Sequence, residues 1–299
     1  MGKRASKPDL WMSFVIPAVF VLLWSTGWIV ARFAANDADV LTFLLLRYAG
    51  AASVLAIYAA LSGAQWPKTR ADWGHAMISG VLLHAFYLGG VWWAISHGVP
   101  ASISALLAAL QPILTAILAP WLAGERIRPL QWIGIGLGFS GLVLVLAPKL
   151  SSLDSASLSA AILPLGINVC GMISLTLGTF YQKRYVRSGD LRTVSVLQFV
   201  SSLLVTLPLA FAFEDMRVGF SLNTALSLVW SIGAISIVSM ALLLQLIRRG
   251  EVARSAQLIY LVPAAAAIQA VIFFGEQLEP MQIAGMIVTS LGVALAVRR

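Results

Sequence analysis

Charge is what this sequence has least of. Only 11% of its 299 residues are Asp, Glu, Lys or Arg, against about 25% in a soluble domain. With 60% hydrophobic residues and a mean hydropathy of +0.90, the chain is suited to lipid rather than water. Its single cysteine, Cys170, lies in an apolar run and excludes an intramolecular disulfide. There are three histidines, and the twelve Asp and Glu residues fall near the ends of apolar runs or between them. No metal-ligand spacing or paired carboxylates remain for a membrane-embedded enzyme. No Walker-type phosphate loop is present, so ATP is not the direct energy source. No cofactor is expected. Strand-like alternation and a left-over soluble domain are also missing.

What is there is a series of apolar runs of about 20 residues, each long enough to cross a bilayer as a helix. They fall at 11–30, 40–61, 75–96, 101–122, 129–147, 157–181, 193–213, 222–245, 253–274 and 280–297. The fold class is therefore an all-α polytopic membrane protein with ten transmembrane helices. Residues 1–10 resemble the start of a secretory signal, but the span that follows is too long for a signal core, and Arg32 and Phe33 spoil a cleavage site. The segment is read as retained.

The net charge of +8 is not a nucleic-acid footprint. With a cytoplasmic N-terminus, sixteen Lys and Arg residues fall on the inner side, from Lys3, Arg4 and Lys7 to Arg298 and Arg299. Only Arg32, Lys149 and Arg217 fall outside. That asymmetry follows the positive-inside rule and places both termini in the cytoplasm. The basic excess sets orientation and contact with anionic lipid.

The stretch 101–147 occurs twice. Ser104, Pro112, Gly124, Glu125, Pro129, Gln131, Gly134 and Gly141 recur 151 residues later as Ser255, Pro263, Gly275, Glu276, Pro280, Gln282, Gly285 and Gly292. Gly27 and Arg32 align at the same offset with Gly178 and Lys183. Two halves follow, 11–148 and 157–298, joined by the polar linker 148–156. Because five spans is an odd number, the halves enter the membrane from opposite sides. Inverted repeats of this kind build secondary transporters, with a site at the repeat interface near mid-membrane.

Candidate site residues follow from polar and aromatic groups inside the spans. Pro17, Phe20, Trp24, Gly27 and Trp28 share one face of the first helix, and Trp24 is a candidate cavity wall as well as a packing residue. His84 lies near mid-membrane, with Tyr87 on the same face. An ionisable group at that depth is a functional hypothesis by default, set against a histidine hydrogen-bonded to a neighbouring helix. Gln111 and Thr115 flank Pro112 on the fourth helix, and Gln257 and Tyr260 flank Pro263 on the ninth. Proline removes a backbone hydrogen bond and bends a helix, so Pro112 and Pro263 are expected hinges. Asn168 and Gln245 complete the substrate-binding set. Arg47 is expected to snorkel outward or pair with a helix end, with contact to a substrate carboxylate as the other reading. Gly134, Gly138, Gly141, Gly285, Thr289 and Gly292 are expected to allow close helix packing.

The five-plus-five layout, with its apolar–Pro–apolar–Gly-Glu–Pro–x-Gln–x-x-Gly stretch, resembles the EamA-type branch of the drug/metabolite transporter superfamily. The resemblance covers essentially the whole chain. It implies a bacterial inner-membrane exporter of small metabolites, often amino acids, and the aromatic helices one and three point toward aromatic substrates. A multidrug or other metabolite exporter with proton antiport is the alternative. Such a protein has a small-molecule substrate and membrane lipid as partners, and no nucleic acid. The halves differ at the centre: Gln198 stands where Arg47 does and Ile235 where His84 does. Recognition is therefore expected to be lopsided about the pseudo-axis. No carboxylate lies within a span and Arg47 does not deprotonate, so His84 is the one mid-membrane candidate for proton coupling. It is read as a hydrogen-bonding group in a facilitated exporter.

Overall fold

The computed structural model describes residues 15–124, 127–151, 155–186, 189–219, 221–239, 241–242 and 261–296. Among these residues the fold is all helix, with no strand beyond an isolated bridge between Ala38 and Val218. Seven helices are long and apolar enough to cross a membrane: α1 Ile16–Asp37, α2 Val40–Leu61, α3 Arg70–Ser96, α4 Ala101–Leu122, α5 Pro129–Ser151, α6 Ser155–Tyr185 and α7 Leu191–Phe213. Three shorter apolar helices follow among the described residues: α8 Leu222–Val238, α9 Val262–Phe274 and α10 Pro280–Ala296. Each of the ten lies on one of the ten apolar runs. α1 continues seven residues past its expected end, to Asp37, and so brings Arg32 into the helix, over the Phe274 ring at 5.8 Å.

Two helix pairs show how the halves meet. α5 and α10 pack antiparallel through their glycines. A Cβ on Gly285 would come within 2.7 Å of the Gly141 carbonyl oxygen and 2.8 Å of the Val145 nitrogen. On Gly134 it would lie 2.6 Å from the Gly292 carbonyl oxygen and 2.9 Å from the Ala296 Cα. Gly134 and Gly285 are repeat mates, as are Val145 and Ala296, so the two contacts are the same contact seen from either side. The polar ends repeat it. Gln131 Nε2 donates to the Ala296 carbonyl at 3.1 Å, and Gln282 Nε2 donates to the Val145 carbonyl at 3.4 Å. Each glutamine also accepts from a backbone N–H three residues before it, Arg128 at 2.8 Å and Glu279 at 3.0 Å. The glutamines thereby satisfy a free N–H at their own helix start and a free carbonyl at the partner's end. Contacts that exchange at a constant offset are the signature of a twofold relation.

α2 and α7 form the second pair. Tyr48 and Phe199, 151 residues apart, face each other with ring centroids 6.1 Å apart. A residue touching its own repeat mate lies on the pseudo-axis. The core gathers around this point, with Phe20, Phe43, Leu44, Tyr48 and Trp92 almost completely buried.

Candidate functional site

The backbone at the centre departs from α-helix in two places. Residues Val81–Phe86 of α3 and Ser231–Val238 of α8 are π-helical, and the two segments are repeat-equivalent within a residue. Such widened turns concentrate at functional sites, because one extra residue per turn frees backbone groups and redirects side chains. Both occur where the helix is crossed by the other half. A Cβ on Gly80 would meet the Gln198 carbonyl oxygen at 2.5 Å, and α8 approaches Gly50 of α2 through Ile232.

Side chains from both segments turn to the axis. His84, half-buried, stacks on Phe199 at 4.7 Å, and its backbone carbonyl accepts the Tyr48 hydroxyl at 3.0 Å. Ser236 of α8 meets Arg47 Nε at 3.4 Å. The Arg47 guanidinium lies 5.5 Å over the Trp92 ring, which packs on Phe43 at 5.5 Å. Arg47 does not snorkel: it is 4% exposed, because Trp92 and α8 close over it. The outward reading of Arg47 is thus corrected by the packing of α8. Tyr87 is buried one turn beyond His84.

The fourth helix is discontinuous. α4 runs as Ala101–Leu107, opens into a turn at 108–109, and resumes at Leu110–Ala123. Pro112 has no N–H to offer residue 108, so the break falls one turn before it. In the repeat-equivalent position α9 begins at Val262, with Pro263 in its first turn. Pro112 and Pro263 are both buried.

The remaining expected residues are placed as follows. Trp24 is half-buried and packs on Phe20 at 5.4 Å. Gln111 is half-buried, and its backbone carbonyl accepts the Thr115 hydroxyl at 2.7 Å. Asn168 is fully buried on α6, donating to Ser104 Oγ on α4 at 2.6 Å, with its Oδ1 unpartnered. Gln245, Gln257 and Tyr260 lie outside the described residues. His84 and Tyr87 are thus brought together with Arg47, Tyr48 and Trp92 on α2 and α3, whereas Asn168 belongs to the α4–α6 contact.

A set of carboxylates escaped the reading of the sequence. On the face where α2, α4 and α8 begin, each helix start is met by an acid from elsewhere in the chain. Glu214 accepts from Leu41 N–H at 2.8 Å and from Thr42 N–H and Oγ1 at 2.9 Å. Glu276 accepts from Ala101 N–H and Ser102 N–H at 3.2 Å and from the Ser102 hydroxyl. Asp37 accepts from Ser221, which caps α8, and from Thr224 at 3.3 Å. Free N–H groups and the positive end of the helix dipole favour an anion there. Apart from the recurrence of Glu276 in the Gly-Glu repeat, their sequence signal is only position near a span end, since the partners are over 170 residues away in all three cases.

With this geometry described, known proteins can be compared. The EamA-like transporter family matches twice, at residues 10–147 and 164–298. An Escherichia coli K12 protein named "Probable amino-acid metabolite efflux pump" is 22% identical over 95% of this chain and 94% of its own. The E. coli K12 protein named "Uncharacterized inner membrane transporter YedA" is 24% identical over 89% of this chain and 84% of its own. A solved crystal structure shares the fold with a TM-score of 0.65 and 16% identity, covering 95% of this chain and 96% of that one. This is a multi-pass inner-membrane transporter rather than an enzyme, and the chain belongs to the EamA-like transporter family.

Proposed function

We propose that this transporter exports amino acids, aromatic or hydrophobic ones first, from the bacterial cytoplasm by alternating access between two inverted halves, 11–148 and 157–298. The observation that carries the mechanism is the pairing of repeat-equivalent irregularities at the axis: two π-helical segments, and two buried prolines in equivalent positions, Pro112 beyond the break in α4 and Pro263 in the first turn of α9. Proline- or glycine-interrupted apolar segments in corresponding positions of two halves mark the moving parts and the site of a secondary transporter. The printed name of the E. coli K12 relative supports the substrate class, and the aromatic groups Trp24, Tyr87 and Trp92 near the axis suit an aromatic or hydrophobic side chain. Both termini lie in the cytoplasm, from the charge asymmetry. Trp24, His84, Tyr87, Gln111, Thr115, Asn168, Gln245, Gln257 and Tyr260 form the substrate-binding set, and the two prolines permit the bending.

Transport runs down the solute's own gradient. With no acid inside a span, His84 is the one residue suited to proton exchange, and its stacking on Phe199 suits a positioned hydrogen-bonding ring. Purified protein in proteoliposomes tested with radiolabelled amino acids decides the reading. Efflux of preloaded phenylalanine or tryptophan is expected, with no net accumulation driven by an imposed pH gradient alone. Efflux of cationic drugs but of no amino acid would replace this reading with the multidrug one. Accumulation under a pH gradient that disappears in His84→Gln would make the protein an antiporter.

A further inference from the structure

Among the described residues, Arg47 is a charge without a counter-charge. Its side chain is 96% buried, and Nη1 has no hydrogen-bond partner. The groups that touch it are neutral: the Ser236 hydroxyl at Nε and the Trp92 ring beneath the guanidinium. Every described Asp and Glu lies at or beyond a helix end, and Asp37, Glu214 and Glu276 are occupied with helix starts. Arg47 itself stands seven residues inside α2, about 10 Å from the helix start. An isolated cation at that depth is expensive to hold and does not relieve the cost by deprotonating. Its mate Gln198 is buried too, and donates to Ser79 at 2.9 Å. The same position in the other half therefore works with a neutral amide.

We propose that Arg47 is the anchor for a carboxylate on the transported solute, which makes the substrate class carboxylate-bearing and excludes purely cationic solutes. Ser236 and Trp92 hold the guanidinium in one orientation and leave Nη1 without a partner. A carboxylate is the anion that a guanidinium N–H binds most strongly, by a charge-assisted hydrogen bond. The π-helical turn of α8 is part of the device, since Ser236 sits within it and its hydroxyl donates to the Ser231 carbonyl five residues back at 2.9 Å. The Ser236 oxygen lone pairs then remain for Arg47 Nε. Tyr48, Tyr87 and His84 lie on the adjoining turns of α2 and α3, so a solute held at Arg47 reaches the aromatic part of the site. This assignment rests on the transport reading above, but not on amino acids being the cargo.

Thermal unfolding of the purified full-length protein in detergent, in chloride-free gluconate-poor buffer, tests it with matched probes: phenylalanine, 3-phenylpropionate, phenylalaninamide and phenethylamine. The two acids are expected to raise the midpoint and the amide and amine to leave it unchanged. Arg47→Gln, which installs the residue that the other half already buries, is expected to weaken the acids by about thirtyfold or more. Arg47→Lys keeps the charge and is expected to recover only part of that loss. A response to 3-phenylpropionate without phenylalanine would keep the anchor and sink the amino-acid reading. The assignment is overturned by stabilisation with phenethylamine equal to that of the acids, by undiminished acid binding in a folded Arg47→Gln protein, by no response to either acid, or by chloride alone giving the full shift.

Discussion

The α5–α10 contact and the α2–α7 contact lie on the same pseudo-twofold axis and obey it to different degrees. At α5–α10 the residues repeat as well as the geometry: glutamine mirrors glutamine, and Gly134 and Gly141 mirror Gly285 and Gly292. At α2–α7 only the backbone repeats. Tyr48 faces Phe199 and Arg47 corresponds to Gln198, and on the crossing helices α3 and α8 His84 corresponds to Ile235. A contact whose task is close approach tolerates nothing but small residues on both sides, so both copies keep them. A site that recognises an asymmetric solute gains nothing from symmetry, and here the polar groups have collected in the first half.

The sharpest way to break the symmetric contact is to fill it. Gly134→Leu and Gly285→Leu should each cost about 3 kcal/mol or more, because the new side chain meets backbone that cannot give way. Loss of a monodisperse peak in size-exclusion chromatography is the expected result for both. Gly136→Leu, with nothing within 4 Å of a Cβ, should leave that peak unchanged. Unequal losses at 134 and 285 would show that the symmetry is geometric but not energetic.

Next in size is Glu276→Ala. It removes a carboxylate that takes two backbone N–H groups and a hydroxyl at the start of α4, and hydrogen bonds to charged groups are worth about 1.5–3 kcal/mol. A loss of about 2 kcal/mol in urea unfolding in mild detergent is expected. Glu276→Gln should recover part of it, since the amide oxygen still accepts. Gln131→Ala and Gln282→Ala should cost about 0.6–1 kcal/mol each, and the two values should agree. Their agreement, next to unequal effects of Tyr48→Ala and Phe199→Ala on transport, would sharpen the contrast between the two contacts.

The smallest effect lies at the surface. The Arg192 guanidinium, 2.5 Å from Asp190, together with backbone hydrogen bonds holds that carboxyl below the usual carboxylate range, against the opposing influence of burial. A lowered folded pKa contributes stability above the ordinary value near 4, and that contribution fades as pH falls through the folded pKa. Asp190→Asn should therefore lower the unfolding midpoint slightly at neutral pH and not at all in acid. A mutant effect that grows as pH falls would reverse the assignment.

Legibility in the sequence followed from how local each feature is. The ten runs were readable because a lipid-exposed helix must be apolar over its whole length, and the end-points missed are those where amphiphilic turns extend a helix into the interface, as at Arg32–Asp37. Glycines at 134, 138, 141, 285 and 292 were readable as packing because a small residue has one use there. The break in α4 was readable to within a turn, since proline acts on the carbonyl four residues earlier. Arg47 was not readable. One arginine one to two turns inside a span is compatible with reaching out to water, and only the position of α8 decides against it. The acids at 37, 214 and 276 were visible as residues near span ends, but nothing in their neighbourhoods names helix starts over 170 residues distant.

By itself, then, the sequence determined that this chain lives in a membrane, that it crosses in ten apolar runs and that its two halves are copies. Each of these follows from transfer of side chains to lipid or from residue identities at a fixed offset, which need no knowledge of contacts. The tertiary structure alone decided which repeat mates touch, that α3 and α8 widen where they cross α2 and α7, and that Arg47 is enclosed with no acid beside it among the described residues. Those outcomes depend on how closely backbones approach, and a glycine, a serine hydroxyl or a ring face acquires its meaning only from what is packed against it.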